Sequence, residues 1–219
     1  MAHGERVIST PRLDSYRRNS EAPEEALCKY LWNIRLCESL YPSLQVLEVG
    51  FRNALHTQVG IATKTPEWLK QRLGILYTDE LAHIDDAEAA LRDRNKAVTE
   101  AYLVSELRFG FWTSILDGRY ERLWHRIIKD VFPNMPRNIR TTGDASVVMN
   151  QVRRLRNAAL HHHSIWHWSD LEAQHKSMHL MLGWICDSLL LIARSVDQSP
   201  AVLSAGYSCF MPTVEKYPN

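Results

Sequence analysis

Apolar residues at Leu44, Leu47, Phe51, Leu55 and Val59 recur every three or four positions. That spacing matches the helical turn and not the two-residue period of a strand, so this segment must be a helix with one face turned inward. The same rhythm runs through Leu27, Tyr30, Leu31 and Ile34 just upstream. Pro42 falls between the two patterns. It predicts a new helix beginning there, since a proline is tolerated in a first turn, where its missing N–H has no partner to lose.

Helical signals continue along the chain. Gly60 to Pro66 predicts a break, and Trp68 to Gly74 a short amphipathic piece. Thr78-Asp79-Glu80 predicts the start of a charged helix reaching about Lys96. Val98 to Leu116 is more apolar and ends at Asp117-Gly118, and Tyr120 to Phe132 predicts a further helix. After a proline-bearing loop from Pro133 to Gly143, Asp144 is the expected N-cap of the next helix. Ser169-Asp170 opens a last long helix to about Ser195. In the segment Phe109-Gly110-Phe111-Trp112, the aromatics suit core packing and Gly110 close helix approach, with base stacking the competing use. No strand-period run and no internal repeat occurs. The expected fold is all-α, an up-and-down bundle of roughly five to seven helices over residues 23–198. An irregular segment over 1–22 and a weakly structured tail over 199–219 flank it.

With 219 residues, 45% of them apolar, the chain can bury a sizeable core. Its formal net charge of +1 is no basic footprint, so nucleic acid would have to be held by local patches. The four cysteines, Cys28, Cys37, Cys186 and Cys209, form no CxxC pair, and apolar neighbours mark them as reduced core residues. MAHGERVIST lacks the apolar stretch of a secretory signal. The most apolar segment, Met178 to Ala193, is interrupted by His179 and Asp187 and is too short for a span, which needs roughly 20 apolar residues. A buried helix in a cytoplasmic protein is the expectation.

Chemistry concentrates in Arg156-Asn157-Ala158-Ala159-Leu160-His161-His162-His163. An arginine offers a permanent forked charge for phosphate, and a histidine moves protons near neutral pH. RNA carries its own nucleophile, the 2′-hydroxyl. A metal-free ribonuclease must deprotonate it, stabilise the phosphorane and protonate the leaving oxygen, general acid–base help being worth ~10²–10⁴-fold. Arg156 suits charge stabilisation, His161 proton transfer, and Asn157 either a phosphate oxygen or the imidazole tautomer. On an ideal helix Asn157 and His161 share a face, whereas Arg156 and His161 lie about 140° apart and Arg156 aligns with His163. Either the helix loosens near His161, or a second copy of the site supplies groups across a two-fold. Metal binding by the histidines is the weaker reading, because adjacent residues point apart and no Cys, Asp or Glu sits at ligand spacing nearby. Arg153 and Arg154 form either a solvated face or a guide for RNA backbone.

A second constellation, Glu48, Arg52 and His56, projects from one helix face, with Asn53 beside it. It forms either a surface ion pair from Glu48 to Arg52, worth under ~1 kcal/mol, or a second polar wall facing the first.

At these residues the chain resembles the Abi-like family of bacterial abortive-infection proteins, part of the HEPN ribonuclease superfamily. Tyr30-Leu31-Trp32-Asn33 carries the resemblance first, and Leu47-Glu48-Val49-Gly50-Phe51-Arg52-Asn53-Ala54 second. Glu106-Leu107-Arg108-Phe109-Gly110-Phe111-Trp112 follows, with Tyr120, Leu123-Trp124 and Phe132-Pro133. Leu155-Arg156-Asn157, His161-His162 and Ile165-Trp166 complete it, so the likeness spans about residues 12 to 195.

The resemblance implies a HEPN-like bundle and a metal-independent endoribonuclease acting in phage defence. The superfamily motif of Arg, a polar residue, three variable residues and His falls on Arg156, Asn157 and His161, with His162, Glu48, Arg52, Asn53 and His56 lining the cleft or binding RNA. The implied products are a 2′,3′-cyclic phosphate and a 5′-hydroxyl. No cofactor and no metal are expected. The implied partners are an RNA substrate, a second copy of the chain, and a regulatory RNA or antitoxin-like protein as restraint, with no membrane. Leu160 stands where the family has Ala, and His163-Ser164 where it has Glu-Pro, so the shape of the cleft departs from the family's. The alternative is a non-catalytic RNA-binding or protein-interaction module of a defence or toxin–antitoxin system.

Overall fold

The computed structural model describes residues 8–17 and 22–214. Among them every regular element is helical, in agreement with the all-α expectation. Among the described residues eleven α-helices are assigned, more than the five to seven expected: α1 (Thr10–Asp14), α2 (Pro23–Thr63), α3 (Thr78–Asp93), α4 (Glu100–Glu106), α5 (Phe109–Ser114), α6 (Glu121–Val131), α7 (Thr142–Leu160), α8 (Leu171–Ile185), α9 (Asp187–Val196), α10 (Ser199–Ala205) and α11 (Met211–Val214).

The spine is α2, a single helix of 41 residues with Pro42 inside it. The break expected at Pro42 does not occur. An internal proline forfeits one helical hydrogen bond and crowds the preceding turn, at about 3 kcal/mol. Against that, the buried stripe runs through it without interruption: Leu36 and Leu40 continue into Leu44, Leu47, Phe51, Leu55 and Val59. Burying one such side chain contributes ~1.5–3 kcal/mol, so the joined stripe outweighs the proline. The helix runs through Gly60 to Thr63, into the break expected from Gly60, and stops with Lys64 in the left-handed region at φ 56.

The other helices pack around this spine. Phe132 stacks between Phe51 (6.1 Å) and Trp124 (5.8 Å), joining α2 to α6. Phe109, Phe111 and Trp112 are buried, as core packing requires. Gly110, however, is exposed, and a Cβ there would meet nothing within 4 Å, so it does not serve close packing. The close approach lies at Gly50, where a Cβ would come within 2.6 Å of Leu189 on α9. Glu80, fully buried on α3, accepts hydrogen bonds from Ser114 (2.7 Å), Arg119 (2.6 Å) and Tyr120 (2.6 Å), fastening the 117–120 turn to the bundle.

Other boundaries differ from expectation for local reasons. The Val98 to Leu116 segment is two short helices separated at Leu107-Arg108. The N-cap of α7 is Thr141, not Asp144: its hydroxyl accepts the Asp144 N–H at 3.1 Å and donates to the Asp144 carboxylate at 2.6 Å. The expected last long helix is divided at Cys186, whose backbone is extended. Asn134 fills the division, its side-chain amide donating to the Gly183 carbonyl (3.0 Å) and to Asp187 (3.2 Å). The apolar run there is not wholly buried, since Leu191 is 70% exposed.

From Pro200 to Val214 the chain is largely helical and packs against α2 rather than being weakly structured, and the rest of the expected tail, 215–219, lies outside the described residues. The Trp32 indole N–H donates to the Val202 carbonyl at 2.9 Å, and the Tyr207 hydroxyl to Glu25 at 2.8 Å. The irregular segment expected over 1–22 lies outside the described residues at 1–7 and 18–21; the described part contains α1. All four cysteines are free, Cys28 buried and Cys37 and Cys186 half-buried, but Cys209 is exposed rather than core. Among the described residues no helix is long and apolar enough to cross a membrane.

Candidate functional site

The Arg156 to His163 stretch straddles the end of a helix. α7 stops at Leu160, and His161 is its C-cap. His162 takes the left-handed conformation at φ 58. The His163 N–H returns to the Ala158 carbonyl (2.9 Å) and the His162 N–H to that of Ala159 (3.4 Å). This paired reversal is a Schellman turn, which satisfies carbonyls that the last helical turn would leave open. The angles of an ideal helix therefore do not extend past Leu160, and the expected alignment of Arg156 with His163 does not hold. Of the two ways to reconcile Arg156 with His161, the loosened helix end is present within one chain.

Two residues outside the motif hold this turn in place. Asn33 on α2, 2% exposed, accepts the N–H groups of Ile165 (2.7 Å) and Trp166 (3.1 Å) and donates to the His163 carbonyl (3.2 Å). Arg12 on α1 donates to the His162 carbonyl. Beneath the turn, Tyr16 stacks on Trp166 at 6.4 Å. Burial pushes its phenol up to about 12 despite the opposing charge of Arg12, so it stays neutral. With the backbone so fixed, His161, His162 and His163 point outward. All three are exposed, and among the described residues their rings take part in no hydrogen bond or ion pair. The His161 and His163 rings sit 6.3 Å apart.

Arg156 is half-buried and faces α2. Its guanidinium lies 3.3 Å from the Glu48 carboxylate, 3.4 Å from the side-chain oxygen of Asn157, and 5.9 Å from the centre of the Phe109 ring. Its Nε–H is buried without an acceptor. The structure thus brings Arg156, Asn157 and Glu48 together. Asn157 turns its amide oxygen to Arg156 and forms no hydrogen bond with the His161 ring. Glu48 pairs across the helix interface with Arg156 rather than along its own helix with Arg52. Arg52, one turn beyond Glu48, is half-buried and its Nε–H also lacks an acceptor. Asn53 is exposed beside it. Arg153 and Arg154 are exposed on α7, Arg154 lying 4.7 Å over the Trp168 ring.

His56 is drawn elsewhere. Its Nε2 lies 2.8 Å from Glu100, and its ring stacks on Trp68 at 5.6 Å. Glu100 also accepts the N–H groups of Leu69 (3.1 Å) and Lys70 (3.0 Å). Burial alone would raise the Glu100 carboxyl, but His56 and the two N–H donors outweigh it and hold the group below its usual range. No hydrogen bond or ion pair joins His56 to Arg156, so His56 anchors the 68–70 turn.

The arrangement suits an anion. The Arg156 guanidinium faces the Glu48 carboxylate, Arg52 lies one turn further along the Glu48 helix, and each arginine keeps a buried N–H unmatched, a cost of about 1–3 kcal/mol apiece that a phosphate oxygen would remove. Sequence reasoning did not give Arg12 or Asn33 a role; only the resemblance touched Asn33, and nothing in local spacing shows that it reaches residues 163–166. The chain matches no protein-family model, no curated protein and no solved structure.

Proposed function

We propose that this protein is a HEPN-type, Abi-like endoribonuclease of phage defence that cleaves RNA without a metal. One observation carries the reading: Arg156 meets Glu48 across facing helices while its buried Nε–H lacks an acceptor, and Arg52, one turn along the Glu48 helix, holds a second buried Nε–H without one. An RNA phosphate entering there would displace the Glu48 carboxylate and satisfy both. Arg156 would then bear the charge of the phosphorane, and His161, exposed at the end of the same helix, would transfer the proton. Asn157 would hold Arg156 in orientation, and Asn53 and His162 would border the incoming strand. A second copy of the chain, meeting the first across the exposed histidines, would supply the paired proton donor and acceptor that transesterification needs. The cytoplasm, where RNA is the target, is the proposed location. Glu48 acts as a built-in restraint, occupying Arg156 until substrate competes; a regulatory RNA or antitoxin-like protein would act on the same groups.

The test is cleavage of a labelled RNA in EDTA by purified wild type, Arg156→Ala and His161→Ala. The expected result is a 2′,3′-cyclic phosphate product from wild type and loss of roughly 100-fold or more in each variant. Equal cleavage by all three proteins would refute the site. Equal RNA binding without cleavage by any would favour the binding-module alternative.

A further inference from the structure

A cavity of about 1060 Å³ lies away from the motif, among α8, α9 and α10. His175 and His179 line it together with Arg194 and Asp187. The two histidines are four residues apart on α8, which places both imidazoles on one face, and their rings are 4.5 Å apart. Asp197, between α9 and α10, closes the group from behind. Its Oδ2 lies 2.7 Å from the His175 Nε2 and 3.3 Å from the His179 Nε2. Its other oxygen accepts the N–H of Ser199, the first residue of α10, at 2.9 Å.

Three ligand atoms therefore converge within 4.8 Å of one another. A proton serves this convergence poorly. One N–H from His175 satisfies Oδ2, and the His179 Nε2 is left buried without a hydrogen-bond partner although it faces the same oxygen. A cation accepts all three lone pairs at once. Zinc bonds to nitrogen and oxygen of about 2.0–2.1 Å place tetrahedral ligands about 3.3 Å apart. The His179–Asp197 separation has that value already, and the His175–Asp197 pair needs to open by only about 0.6 Å. Two imidazoles and a carboxylate on four-residue helical spacing form a zinc-type donor set. The residue after His175 is Lys176, not an acid, so the general base of a zinc protease is missing and the ion would hold structure.

We propose that His175, His179 and Asp197 bind one zinc-class divalent ion, which clasps α8 to the junction of α9 and α10 and leaves a coordination position open to the cavity. The ion pins the start of the C-terminal segment that packs on α2. The site shares no residue with the Arg156 cluster, and the expectation of no metal concerned that cluster and its chemistry.

The experiment uses the full chain, stripped with chelator and dialysed, then titrated with zinc by calorimetry and with cobalt by visible absorption. Variants are His179→Gln and Asp197→Asn, the latter retaining an acceptor for the Ser199 N–H; circular dichroism verifies their fold. One zinc per chain, a four-coordinate cobalt spectrum, and affinity weakened at least about 100-fold in both variants are expected. Substoichiometric uptake by the wild type overturns the proposal. So does equal uptake by wild type and both variants, or uptake abolished by His161→Ala or His163→Ala instead. RNA cleavage is not the readout, so failure here leaves the nuclease reading untouched.

Discussion

Replacing Asn33 tests whether α2 sets the conformation of the triple-histidine turn. Asn33→Ala removes two accepted hydrogen bonds, from Ile165 and Trp166, one donated to His163, and a weak one donated to the Cys37 sulfur at 3.8 Å. Of the three bonds to backbone groups, that to the carbonyl of His163, an exposed residue, is the longest at 3.2 Å, so its share of the loss is the smallest. The Ile165 N–H belongs to a residue with 0% exposure, and the Trp166 N–H lies beside it. A buried donor left unmatched costs about 1–3 kcal/mol; the Ile165 N–H is fully buried and the Trp166 N–H only in part, so together they predict a loss of about 3 kcal/mol. At about 2–4 °C per kcal/mol for a domain of this size, the melting midpoint should fall by roughly 6–12 °C. Asn33→Asp keeps both acceptor positions and should lose less at neutral pH. Urea unfolding followed by circular dichroism gives the energies, and hydrogen exchange gives the location, with protection lost at Ile165 and Trp166. A loss below about 1 kcal/mol in Asn33→Ala, or unchanged exchange at those two amides, would refute the assignment.

Two further perturbations separate restraint from structure. Glu48→Gln removes the charge facing Arg156; a part-exposed pair is worth under about 1 kcal/mol, so RNA affinity should rise by up to roughly fivefold in a filter-binding titration, whereas weaker binding would make Glu48 a support for the site. Glu100→Gln should cost about 2–4 kcal/mol at pH 7 by weakening charge-assisted bonds to His56, Leu69 and Lys70. Because the folded Glu100 pKa is depressed, its contribution is present above the unfolded value near about 4.3 and is lost as pH falls through the folded value. Unfolding midpoints of wild type and variant should therefore converge below about pH 4, and a constant gap across that range would exclude the ionised carboxylate as the source.

The helical class and most element positions were legible because periodicity is local: the stripe from Leu44 to Val59 is buried as its spacing demands. Boundaries failed where a distant residue decided them. Pro42 looked like a start because its cost is local, whereas the core that outweighs it is not. Cys186 carries no breaking signal of its own, since Asn134 supplies the groups that stabilise the break. In the candidate site, the Arg156–Glu48 contact agrees with the idea of two facing polar walls. His56 shares Glu48's helix face, yet Glu100, distant in sequence, recruits it. The His175–His179 spacing was visible, but Asp197 joins it only through the turn between α9 and α10.

The unbroken α2 also limits how this chain can vary. It carries Asn33, which fixes the histidine turn, and Glu48, which meets Arg156, about 22 Å apart along one rod. Inserting or deleting a single residue between them would rotate one by about 100° relative to the other and shift it by about 1.5 Å. Asn33 would then miss the turn, or Glu48 and Arg52 would leave Arg156. Changes of length in related chains should therefore gather in the connections, such as 133–141, and avoid the interval between Asn33 and Arg52.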